Sequence, residues 1–151
     1  MSNVEQKLQA MGLKLPACPA PVAAYLPVQT AGNLIYASGQ TAWVDGKLLY
    51  AGKVGGEVSV ADAYESAKLS AVNCLSAIAT VADLDQIRIV RVHGWVNGVP
   101  DFGDQPAVVN GASELLEALY GEHGRHARSA IGVGSLPTNA SVEIEIIAEK
   151  L

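Results

Sequence analysis

The sequence predicts an α+β fold, a mostly antiparallel sheet with two helices packed on one face. Two long stretches, Val60 to Ala82 and Gln105 to Tyr120, repeat apolar residues at the spacing of a helix stripe. Around them, short segments alternate apolar and polar residues as half-buried strands do. The order is then hairpins, helix, strand, helix, two strands. Two helices sharing one sheet face bury all of these apolar surfaces at once. A chain of 151 residues suits a single domain, here 1–151, with length enough for a sizeable core.

Ser2 can cap a short first helix in which Val4, Leu8 and Met11 recur, ended by Gly12 and Pro16. With the stiff Cys18-Pro19-Ala20-Pro21 linker it forms an extension over residues 1–20. Tyr25 to Thr30 and Leu34 to Ser38 read as strands around Ala31-Gly32-Asn33. Asp45-Gly46 marks a second hairpin between Trp43-Val44 and Lys47 to Tyr50. Gly52, Gly55 and Gly56 follow without the spacing of a phosphate loop. In the first long helix, Ser59 and Asp62 resemble a capping box. Tyr64, Ala67, Ala71, Leu75, Ile78 and Ala82 form its stripe. Ile87 to Val96 is a strand with Arg88, Val90, Val92 and Val96 opposite Ile87, Ile89, Arg91, His93 and Trp95. Asp104 can cap the second long helix, with Pro106 early and Gly121 at its end. Ala127 to Val133 and Val142 to Ile146 are the last strands, joined through Pro137-Thr138-Asn139 as a pair.

Half the residues are hydrophobic and mean hydropathy is +0.24, so part of the apolar surface is expected in subunit interfaces. No apolar run reaches the roughly 18–20 residues of a membrane span. The N-terminus lacks a basic region followed by an apolar one, so a cytoplasmic location is expected, with no membrane partner. Ten Lys and Arg against fifteen Asp and Glu, without a basic cluster, argue against binding nucleic acid through its phosphates. Cys18 and Cys74 form no CxxC pair and read as separate reduced thiols.

The stretch Ala127 to Glu145 carries the chemistry. Arg128 sits in an apolar, small-residue run, and an arginine there needs a permanent carboxylate partner or a ligand carboxylate. If the last two strands form a hairpin, Arg128 and Glu143 share one neighbourhood. The pair is then a structural ion pair, or a clamp for a substrate carboxylate beside a glutamate that handles water.

Arg128-Ser129-Ala130, Leu136-Pro137 and Val142-Glu143-Ile144-Glu145 resemble the C-terminal signature of the Rid, or reactive intermediate deaminase, family. These YjgF-like proteins also carry an "endoribonuclease" label. Tyr25, Gly32-Asn33, Ser38-Gly39-Gln40, Asp101-Phe102, Val109-Asn110 and Glu122-His123 follow in matching order, so the resemblance covers roughly residues 20 to 148. It implies a chorismate-mutase-like fold, a homotrimer and active sites in clefts between subunits. It implies hydrolysis of small enamine or imine acids to 2-oxo acids and ammonia, without a cofactor. Arg128 would grip the substrate carboxylate and Glu143 would position water. Tyr25 and Ser38 would orient the substrate, with Gly39, Asn110 and Ala130 binding it. Ala130 stands where some members carry cysteine, and His126 where proline often precedes Ala-Arg-Ser.

Two other classes remain open: an endoribonuclease, and a non-catalytic module binding a small carboxylate or a protein. His123 and His126 form H-x-x-H in a glycine-rich loop, with His93 elsewhere, unlike zinc hydrolases that set histidines on a helix. No metal is therefore expected, and a Ser-His-Asp triad lacks its G-x-S-x-G elbow.

Overall fold

The computed structural model describes residues 1–151. Helix α1 (Asn3–Ala10) starts with a complete capping box, Ser2 and Glu5 each bonding the other's backbone N–H. Its Val4 and Leu8 are buried, and the Asp85 carboxylate accepts from the Asn3 and Val4 N–H groups. The extension thus closes one edge of the core.

Strands β1 (Val28–Ala31) and β2 (Leu34–Ala37) form the first hairpin. The first strand starts at Val28 rather than Tyr25 because Pro27 has no N–H to add to a ladder. Strands β3 (Trp43–Val44) and β4 (Lys47–Leu48) flank Asp45 and Gly46, both at positive φ, as a two-residue primed turn requires.

Helix α2 (Val60–Ile78) stops short of Ala82. At its end the Thr80 and Val81 N–H groups turn to carbonyls three residues back, tightening the last turn. Its buried face holds Ala67, Ala71, Leu75 and Ile78 as expected, but Tyr64 leaves the stripe. The Tyr64 hydroxyl donates to Glu114, whose charge holds the phenol proton and pushes its pKa up to about 12.

Strand β5 (Ile87–Asn97) contains a bulge between Ile89 and Arg91. The extra residue resets the alternation, so Ile87 and Ile89 are buried on the same side as Val92 and Val96. That corrects the strict alternation read along this strand. Helix α3 (Gln105–Tyr120) has Pro106 in its first turn, but Asp104 makes no side-chain cap. Strands β6 (Ala127–Val133) and β7 (Val142–Lys150) complete the chain.

The main sheet runs β1-β2-β7-β5-β6, with β3-β4 separate. All neighbours in the five-stranded sheet are antiparallel except β5 and β6. The expected hairpin between the last two strands is therefore wrong, since β5 lies between them. The unit β5–α3–β6 is the cause: parallel strands need a long crossover, and α3 supplies it.

Both long helices cover one face of the sheet. Ile35, Val92, Ile144 and Ile146 point there and join Leu75, Ile78 and Leu116 in the core. The other face carries Arg91, His93 and Trp95 on β5 and Glu143, Glu145 and Ile147 on β7, all half-buried. No helix is long and apolar enough to cross a membrane.

Candidate functional site

The seven residues singled out in the sequence fall into two groups. The first surrounds Arg128. It lies opposite Val92 in the parallel ladder, so its side chain rises on the helix face beneath α3. Arg128 Nη1 donates to Asn110 Oδ1 at 2.9 Å and to Ser113 Oγ at 3.1 Å, and Nη2 donates to the Pro106 carbonyl at 3.2 Å. Pro106, Asn110 and Ser113 recur at i, i+4 and i+7, one face of the helix.

A guanidinium has five N–H donors. Helix α3 takes both on Nη1 and one on Nη2. The Nε–H and one Nη2–H remain without an acceptor, and Nε and Nη2 share one edge of the planar group. No carboxylate pairs with Arg128, and its three acceptors are neutral, so its positive charge is uncompensated. Ala130 lies two residues on, along an edge strand whose outer side is unpaired.

The second group surrounds Glu143. Gln40 and Ile144 exchange backbone hydrogen bonds of 2.8 and 2.9 Å, which brings Gly39 against the Glu143 side chain. A Cβ at Gly39 would stand 2.8 Å from Glu143 Oε2, so only glycine leaves that carboxylate its room. The Ser38 hydroxyl donates to the Leu26 carbonyl at 2.6 Å, and its N–H to Pro27, pinning the segment that presents Tyr25. Tyr25 itself is 48% exposed. Burial, and then the neighbouring Glu145, raise the Glu143 pKa above the ordinary carboxylate value.

Within one chain the two groups stay apart, contrary to the shared neighbourhood expected of a hairpin. Arg128 is on the helix face and Glu143 on the opposite one, with β5 between their strands. Strand spacing alone separates their backbones by roughly 10 Å. Sequence reasoning also passed over Ser113 and the Pro106 carbonyl. Their spacing from Asn110 was the available signal.

The chain matches the family described as "YjgF/chorismate_mutase-like, putative endoribonuclease" over residues 5–150. It belongs to that family. Among YjgF-like relatives, protein TCP17 of Trypanosoma cruzi is 37% identical over 150 residues, 97% of this chain and 94% of that protein. A 2-iminobutanoate/2-iminopropanoate deaminase of Dermatophagoides farinae is 28% identical over 136 residues, 89% of this chain and 92% of the other. The solved structure of Atu1372, a protein of unknown function from Agrobacterium tumefaciens, superposes with a TM-score of 0.91 at 44% identity. That match covers 99% of this chain and 93% of Atu1372. The α+β architecture is thus the YjgF-like one, with its chorismate-mutase-like sheet and long helices.

Proposed function

We propose that this protein hydrolyses small 2-imino acids to 2-oxo acids and ammonia. The observation that carries the reading is the unpaired edge of Arg128, with two parallel donors and an uncompensated charge. That edge matches the two oxygens of a carboxylate, and the grip is charge-assisted. The relative named as an iminobutanoate and iminopropanoate deaminase supports the substrate class.

The site is completed between copies of the chain, in a homotrimer. One copy brings Arg128, Asn110 and the Ala130 backbone. A neighbour brings Glu143, Gly39, Ser38 and Tyr25. Protonation of the imine nitrogen makes C2 electrophilic, so the reaction calls on no cofactor. Glu143 takes a proton from water as its oxygen adds to C2. The resulting carbinolamine expels ammonia, its nitrogen receiving the proton that Glu143 held, while the freed Glu143 carboxylate takes the hydroxyl proton as the carbonyl forms. That proton leaves with ammonia as ammonium, and the 2-oxo acid remains. Burial suits Glu143 to this cycle, because a raised pKa makes a stronger base. General-base help of this kind contributes about 10²–10⁴-fold.

The test generates imines in situ with an amino acid oxidase and follows their loss. Arg128→Ala should lose nearly all activity, Arg128→Lys most of it and Glu143→Gln part. A lysine fails because a point charge does not reproduce a planar two-pronged grip. Wild-type rates in Arg128→Ala would overturn the reading. RNA cleavage by wild type that Arg128→Ala abolishes would favour the endoribonuclease named in the family description. An acidic chain with no basic cluster argues against it. Carboxylate binding without turnover would favour a binding module.

A further inference from the structure

We propose that Ser113 and His126 are positioning residues that set which edge Arg128 turns toward its ligand, an inference that rests on the carboxylate grip proposed above. His126 Nδ1 lies 2.6 Å from the Gly124 carbonyl, and His126 Nε2 lies 2.9 Å from Ser113 Oγ. A carbonyl only accepts, so Nδ1 carries the proton. Arg128 only donates, so Ser113 Oγ receives its Nη1–H at 3.1 Å and keeps its own hydrogen for another partner. Nδ1 being the nitrogen that donates to Gly124, Nε2 is that acceptor. The chain of bonds therefore runs one way, from the Arg128 guanidinium to the Ser113 hydroxyl, then to His126 Nε2, and from Nδ1 to Gly124.

Each link limits one rotation. Gly124 belongs to the tight turn Gly121–Gly124 and is buried, and a Cβ there would collide with the Leu116 carbonyl. The turn and α3 thus hold the imidazole from two sides, and the imidazole orients the hydroxyl. The hydroxyl, with Asn110, occupies both Nη1 donors. An Nη1 group so occupied has nothing left for a ligand, and the carboxylate is gripped side-on through Nε and Nη2. Without the relay one Nη1–H loses its acceptor, while Asn110 and the Pro106 carbonyl keep theirs. The guanidinium is then held at two points rather than three and has an Nη1–H to offer a ligand, so the substrate carboxylate meets no single geometry.

Ser113→Ala is expected to raise KM for the imino acid about tenfold, as loss of one hydrogen bond to a charged group does. His126→Phe should raise it several-fold, while kcat falls less than twofold in both. Ser113→Thr, which keeps the hydroxyl, should recover most of the loss. A folded Ser113→Ala with unchanged KM, or a Ser113→Thr no better than Ala, would overturn the relay. Nitrogen-15 spectra of the ring and guanidinium test it whether or not imines are turned over. The expected result is a neutral His126 bearing its proton on Nδ1, and Arg128 Nη signals that are distinct in wild type and averaged in Ser113→Ala. A proton on Nε2, or Nη signals alike in both proteins, would sink the proposal. Absent turnover with the expected spectra would instead sink the function and leave the relay standing.

Discussion

Glu143 is a carboxylate whose burial works against the stability of the fold. Its pKa is raised by burial first and Glu145 second. At low pH the group is neutral in folded and unfolded chains alike, and no penalty arises. As pH rises through the unfolded and then the folded pKa, the unfolded chain releases its proton first, so stability falls. Above both values the penalty is complete. Glu143→Gln should therefore melt higher than wild type at neutral pH, and the gap should close below about pH 4. A melting series across that range checks it, and a variant less stable at neutral pH would mean the carboxylate has a favourable partner in the native protein. Gly39 is the companion case. Because a Cβ there meets the far end of a flexible side chain, Gly39→Ala should fold normally yet displace the Glu143 carboxylate and lose imine hydrolysis.

At the scale of elements, two contacts hold the frame that aims Arg128. Helices α2 and α3 pack so closely at Gly111 that any Cβ there collides with the Tyr64 carbonyl. A backbone atom cannot step aside as a side chain can. Gly111→Ala should cost about 3 kcal/mol, the upper range for overpacking, measurable by denaturant unfolding. Helix α1 depends on Asp85, which accepts from two of its first N–H groups. Asp85→Ala removes both bonds and should cost about 1–2 kcal/mol, typical of a lost cap. Hydrogen exchange should then quicken in residues 3–10 while the sheet stays protected, because only the edge covered by Val4 and Leu8 opens. Uniform quickening across the chain would contradict a local role.

For the whole molecule, the placement of Arg128 and Glu143 on opposite sheet faces makes a sharp test of assembly. If each site takes its arginine from one copy and its glutamate from another, Arg128→Ala and Glu143→Ala should complement when refolded together. In a random equal mixture of closed homo-oligomers, about a quarter of the sites regain both side chains. A mixture no more active than its parts would mean that the two residues never share a site. Light scattering on the wild type should report three chains. A monomer at micromolar concentration would remove the cleft altogether.

Period and punctuation alone were enough to show that this chain alternates hairpins, strands and two long helices, since those signals are local. The order of residues around Arg128 and Glu143 likewise marked the family to which the chain belongs. What local pattern could not carry was strand order. An extended run such as Ala127 to Val133 looks the same whether it pairs with the next strand or the previous one. Here the α3 crossover sends it to the far side of β5. The bulge at Ile89 was equally hidden, because one extra residue changes which face a side chain takes without changing composition. Tertiary structure alone therefore decided that Arg128 and Glu143 part within a chain. It also decided that Asn110, marked in the sequence only as a substrate contact, joins Pro106 and Ser113, unremarkable helix residues in sequence, in occupying three of the guanidinium's five donors.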